Sequence, residues 1–175
     1  MFARRPVLLA LAAAALLAGG CGGDDDGAPG GSTNDQIRAV FRTYTAALAD
    51  KEYGKACAQL TAGSKAAITE KLVTRKAAVE KLTGSDETPS DCPGQFRLLL
   101  GAELTGGKAS EKTRDELLRA STKARIDEIR VEGDAGTVQV TVPLDGVSGV
   151  PPGTPPQQSL TAVRRENGAW KIDER

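Results

Sequence analysis

Three cysteines, Cys21, Cys57 and Cys92, and a complete absence of histidine bound the chemistry open to this chain. Without an imidazole there is no Ser-His-Asp or Cys-His nucleophile, and the commonest metal ligand is missing. No Ser-x-x-Lys run offers a lysine-assisted serine in its place. Gly146-Val-Ser-Gly149 departs from the exposed-serine elbow at its fifth position, which is Val150. The run Ala102 to Ala109 lacks the first glycine and the closing Ser/Thr of a phosphate loop, and it follows a helical pattern rather than a strand. Asp24-Asp25-Asp26 has neither the alternating spacing nor the distal glutamate of a calcium loop. The cysteines are too far apart in sequence for a zinc site. No metal or cofactor is expected, and the thiols themselves are the chemistry that remains.

The setting of Cys21 is the most informative. Arg4 and Arg5 supply a positive start, Val7 to Leu17 is an uninterrupted apolar run, and Ala18-Gly-Gly20 precedes the cysteine. Eleven helical residues cover roughly 17 Å, short of a hydrocarbon core of ~30 Å, so the run reads as a secretory signal rather than a span. The small-small-small-Cys ending resembles the bacterial lipoprotein signal, with Ala18 where that pattern usually carries leucine and Leu17 one place further back. The resemblance implies lipid on the Cys21 thiol, cleavage between Gly20 and Cys21, and a protein anchored to the cell membrane on its extracytoplasmic face. An ordinary cleaved signal followed by a chance cysteine is the alternative.

If Cys21 carries lipid, Cys57 and Cys92 are left as a pair, and outside the cytoplasm a disulfide is their natural state. It would close a loop of about 36 residues, worth roughly 3.8 kcal/mol on a chain-entropy estimate. Two unrelated buried thiols are the alternative. Losing residues 1–20 also removes two of the 23 basic residues and none of the 23 acidic ones, a net of −2 for the remainder. With no basic excess and no dense Lys/Arg run, nucleic acid is excluded as an expected partner. Only five aromatics remain (Phe41, Tyr44, Tyr53, Phe96 and Trp170), too few to line a stacking site and fill a core as well.

The elements that must position these residues fall into two halves. Residues 21–33 read as the lipidated cysteine and a glycine-rich acidic tether, and residues 34–175 as one domain. Asn34 or Asp35 is placed to cap a helix whose stripe is Ile37, Val40, Phe41, Tyr44 and Leu48. A short second helix turns Tyr53, Ala56, Cys57 and Leu60 inward. Ser64 is placed to cap a third, with Ala67, Ile68, Leu72, Val79 and Leu82 inward. Thr83 to Pro93 reads as a loop bearing Cys92, so a disulfide would pin that loop to the second helix. Gly94 to Glu103 reads as a covered helix with Phe96, Leu99 and Leu100 inward, and Thr105 to Ala109 as a loop. Ser110 would cap a helix running through Arg119, supported by Lys112–Glu116 and Asp115–Arg119 pairs four apart.

From Ala124 the apolar period changes to two. Ala124 to Glu132 reads as a strand whose phase slips near Asp127–Glu128, the mark of a bulge. Gly133 to Gly136 is a turn, and Val138, Val140, Val142 and Leu144 share one face of a strand over Thr137–Leu144. The Gly- and Pro-rich stretch Asp145 to Pro156 is a loop. Ser159–Glu166 and Ala169–Asp173 flank Asn167-Gly168, the strongest hairpin signal in the chain. That turn pairs Val163 with Ile172 and Arg165 with Trp170, where the guanidinium can stack on the indole. Helices followed by a hairpin-closed sheet predict an α+β fold, with N-terminal helices packed on a curved antiparallel sheet.

The helix Ile37–Asp50, the segment Tyr53-Gly-Lys-Ala-Cys-Ala-Gln-Leu60 and the closing hairpin Ala162–Asp173 together resemble the nuclear transport factor 2-like superfamily, the cone-shaped α+β fold shared with ketosteroid isomerase. The helical signals between Ser64 and Arg119 run longer than that family's compact version and read as an insertion or an extended core. The resemblance implies a pocket inside the cone, in which enzymes of the superfamily place carboxylates and a tyrosine; Tyr44, Tyr53, Asp127 and Asp173 are the residues of those types here. Structural roles in stripe, core, bulge and strand end compete for each of them. Two functions follow. One is a non-catalytic membrane-anchored domain that binds a small apolar ligand or an envelope protein. The other is an isomerase- or dehydratase-type enzyme. They differ in whether a carboxylate and a tyrosine converge in a closed apolar pocket.

Overall fold

A computed structural model describes residues 31–75, 77, 80, 84, 88–105 and 111–174. The signal segment, Cys21 and most of the tether lie outside the described residues, as do Val79, Leu82 and Ser110. Helices α1 (Thr33–Ala49), α2 (Tyr53–Ala58), α3 (Ala62–Thr74), α4 (Cys92–Thr105) and α5 (Glu111–Thr122) precede strands β1 (Arg125–Glu132), β2 (Ala135–Val142), β3 (Gln157–Glu166) and β4 (Ala169–Ile172). The strands pair antiparallel in chain order, β1-β2-β3-β4. The fold is α+β.

Helix α1 begins earlier than expected. Ser32 is its N-cap, and Asp35 closes a capping box with it instead of capping the helix itself. The stripe Ile37, Phe41, Tyr44 and Leu48 is buried, and Ala47 and Thr45 widen it. Lys51 ends the helix at φ 60°, and its ammonium pairs with Asp115 of α5 at 2.8 Å. Asp115 therefore turns to Lys51 and to Arg114 (2.8 Å), and the expected partnership with Arg119 gives way to them; Lys112 does reach Glu116 at 3.8 Å.

The third helix also starts earlier. Thr61 is the cap, accepting from the Ser64 amide, and Ser64 lies buried in the first turn. Glu166, from the far hairpin, accepts from the Ala62 amide at 3.1 Å and satisfies a second unpaired donor. Ile68 and Leu72 are buried as predicted, and Ala67 is half-buried. Helix α4 starts at Cys92, so the cysteine stands in a helix's first turn rather than in a loop. Pro93 needs no amide partner there, and the Asp91 carboxylate accepts from the Gly94 amide at 3.1 Å. A Cβ on Gly94 would meet Pro89 Cβ at 2.6 Å, so this turn packs against its own lead-in. Cys57 and Cys92 form a disulfide, Cα–Cα 6.2 Å, which joins α2 to the start of α4.

In the sheet, the slip predicted near Asp127–Glu128 is present as a bulge between Ile126 and Glu128. Asn167 and Gly168 take φ of 54° and 81°, the positive values a type I′ turn requires. They set Val163 opposite Ile172 and Arg165 opposite Trp170. The Arg165 guanidinium donates to the Gly168 carbonyl at 3.4 Å, and the expected stacking on Trp170 is replaced by this contact. Val138, Val140, Val163, Trp170 and Ile172 face the helices and join Ile37, Phe41, Leu60, Leu72, Phe96 and Leu99 in one core. Each such burial contributes about 1.5–3 kcal/mol over leaving the side chain in water. The outer edge of β4 is covered by the segment entering α3: Ile172 donates to Gln59 and accepts from the Thr61 amide, at 2.8 and 2.9 Å.

Candidate functional site

Helices α1 and α4 stand over β2 and β3 and leave a cleft of about 310 Å³ between them. Phe41, Leu48, Phe96 and Leu99 form its helical wall, with Val140 and Val142 on the sheet side. The helical spacing of α1 brings Phe41, Tyr44, Thr45 and Leu48 to the cleft, and the two-residue period of the sheet brings Val140, Val142, Ser159 and Thr161. Glu174 lies just beyond β4 and reaches the same cleft.

Of the four residues raised by the sequence, Tyr44 lines this cleft. Its hydroxyl donates to Glu174 Oε2 at 3.3 Å. Burial first, and then the charge and hydrogen bond of Glu174, hold the phenol's pKa far above the usual tyrosine value. Tyr44 therefore remains a neutral donor whose hydrogen is directed at the carboxylate.

Tyr53 is buried beside the cleft rather than in it. Its ring stacks on Phe96 at 6.2 Å, the Arg97 guanidinium sits 5.9 Å from its centroid, and Phe96 meets Tyr44 edge-on at 6.5 Å. Asp127 is the bulge residue of an edge strand. It accepts from Thr141 and Arg125, and the Thr141 hydrogen bond leads in holding its pKa below the ordinary aspartate range. Asp173 is 8% exposed and faces away from the cleft, accepting from Thr61 at 2.9 Å and Arg164 at 3.1 Å. The structure thus brings Tyr44 to the cleft and assigns the other three to core packing, bulge geometry and a structural ion pair.

The carboxylate that does meet Tyr44 is Glu174. The sequence carries no clear signal for it: Glu174 follows the inward Trp170 and Ile172 at a spacing of two, but β4 ends at Ile172, Asp173 is buried and Glu174 is exposed. Ser121, Ser159, Thr161 and Lys71 complete the polar lining. Among the described residues there is no cluster of three or more potential metal ligands, and no helix is long and apolar enough to cross a membrane. No protein-family model, no curated protein and no solved structure matches the chain.

Proposed function

We propose that this protein is a lipid-anchored component of the extracytoplasmic face of a bacterial cell membrane, and that its α+β domain holds a small apolar ligand in the cleft over β2 and β3 without transforming it. The anchor rests on the segment that ends at Cys21. The binding role rests on one observation: apolar walls from two helices and a sheet enclose a cleft of about 310 Å³ with the hydrogen-bonded Tyr44–Glu174 pair among its few polar groups. Small-molecule sites combine apolar walls with a few placed polar groups in this way, at volumes upward of roughly 300 Å³. The helices-then-hairpins order supports reading the domain as nuclear transport factor 2-like, and an envelope protein as an additional partner accords with that anchorage.

A second reading draws on the same pair. A carboxylate beside a phenol is the equipment of an isomerase or dehydratase, with Glu174 as base and Tyr44 as donor, but Glu174 is exposed to solvent, so the pair does not sit in the closed pocket that reading needs. It requires Tyr44 to turn its hydrogen from Glu174 to a substrate oxygen, against a contact already made.

Mass spectrometry of the membrane-extracted protein tests the proposal in one preparation. We expect a diacylglyceryl-modified Cys21 at the N-terminus and a co-purifying small molecule that is lost when Leu99→Trp fills the cleft. Cys21→Ser should release the folded domain from the membrane fraction. A Cys21→Ser protein that stays membrane-bound removes the anchor; a ligand retained by Leu99→Trp removes the cleft.

A further inference from the structure

We infer that the ligand of the cleft is uncharged and carries an oxygen-bearing polar group, a hydroxyl or a carbonyl, seated against Thr161 of β3. This rests on the cleft reading above and assigns the ligand's chemistry. Val163 is the buried, helix-facing residue of β3, so the two-residue period turns Thr161 and Ser159 to the same face, opposite Val138 and Val140. Val138, Val140 and Val163 make that face apolar, and the two hydroxyls interrupt it at the cleft. Ser159 is exposed at the rim, whereas Thr161 is half-buried.

The other hydroxyls of the lining have already given their hydrogens. Tyr44 donates to Glu174 at 3.3 Å, Thr45 to the Phe41 carbonyl at 3.1 Å, and Ser121 to the Leu118 carbonyl at 2.6 Å. Thr161 Oγ1 meets no hydrogen-bond partner among the described residues. Two opposed costs then set the ligand's character. A hydrocarbon laid over Thr161 takes water from that hydroxyl and returns nothing. A carboxylate or an ammonium sheds its own hydration for one neutral hydroxyl, which costs more. An alcohol or a ketone avoids both, because the threonine hydroxyl can give or accept. The charges at the rim do not alter this. Glu174 and Lys71 both line the cleft, both are exposed, and their signs are opposite, so solvent screens them and neither kind of ion is drawn in.

The test uses the detergent-extracted full chain and the eight-carbon probes 1-octanol, 2-octanone, octylamine, octanoate and ethylbenzene. Binding is followed by titration of the Leu99 and Val140 methyl resonances, with Leu99→Trp as the control for partition into detergent. The alcohol and the ketone are expected to bind about tenfold or more tighter than the amine and the carboxylate. Thr161→Val should weaken 1-octanol about fivefold while ethylbenzene binds as before or better, and Thr161→Ser should keep the parent's affinity for 1-octanol. An amine or carboxylate that binds as tightly as the alcohol overturns the assignment and leaves the cleft reading in place. So does 1-octanol held unchanged by Thr161→Val, or lost equally with Thr161→Ser. If no probe moves these methyls in the parent chain, both fall.

Discussion

Thr61 donates its hydroxyl to Asp173 at 2.9 Å, across 112 residues of sequence. The same oxygen accepts from the Ser64 amide at 3.1 Å, so one side chain caps α3 and anchors the end of the sheet. Thr61→Val keeps the shape and removes both roles. It should cost about 2–3 kcal/mol, from the lost cap and from a buried carboxylate deprived of a donor. Urea denaturation measures this. Thr61→Ser, which restores the oxygen, should recover most of the loss; equal destabilisation by Val and Ser would show that the hydroxyl is not the cause.

The disulfide carries a larger share. Cys57 is 5% exposed and Cys92 opens α4, so the bridge fastens two helices together. Replacing both cysteines with alanine should lower the unfolding free energy by about 3–4 kcal/mol. Peptide mapping without reductant should show a Cys57–Cys92 pair, and free thiols at both positions would contradict the structure.

Gly136 is required for lack of room. A Cβ there would stand 2.6 Å from the Arg130 carbonyl oxygen, which belongs to the backbone of the neighbouring strand and cannot swing aside. Gly136→Ala should therefore destabilise by about 1–3 kcal/mol, against the usual gain from removing a strand glycine. Gly146→Ala is the comparison in open space, where a positive φ of 79° is the sole obstacle. A tolerated Gly136→Ala would mean that β1 and β2 separate more easily than their register indicates.

Acid should loosen one loop before the rest. Glu116 of α5 accepts from the Ser148 amide at 2.6 Å and from its hydroxyl at 3.2 Å. Those bonds, the amide's first, hold the carboxyl below the ordinary glutamate range. A group whose folded pKa is depressed contributes fully above its unfolded value and loses the contribution as pH falls through the folded value. The Ser148 amide proton resonance should therefore be unchanged from neutrality down to the glutamate range and move upfield below it. Glu116→Gln should remove the pH dependence, and an amide shift that ignores both acid and Glu116→Gln would separate the loop from α5.

Much of this arrangement was legible in the sequence, for identifiable reasons. The α1 stripe, the bulge near Asp127 and the Asn167–Gly168 register follow from periodicity and from a turn whose geometry admits few residues. The expected caps fall two or three residues late, because Asp35 closes a capping box with Ser32 and Ser64 donates its amide to Thr61, so either member of each pair resembles a cap. Cys92 looked like a loop residue because Pro93 and Gly94 break most helices, yet both suit a first turn. Within the candidate site, Tyr44 followed from its stripe. Glu174 is not legible there, because it lies past the end of β4 at an exposed position and meets Tyr44 only through the tertiary packing of α1 against the end of the chain.

The covered edge of β4 has a consequence for timing. The chain emerges from synthesis with its helices first, but the start of α3 receives its partners from Glu166, Ile172 and Asp173. Closing contacts more than a hundred residues apart is slow and comes late. The helical half stays incompletely fastened until the β3–β4 hairpin has formed, and removing residues 170–175 would strand it in that state.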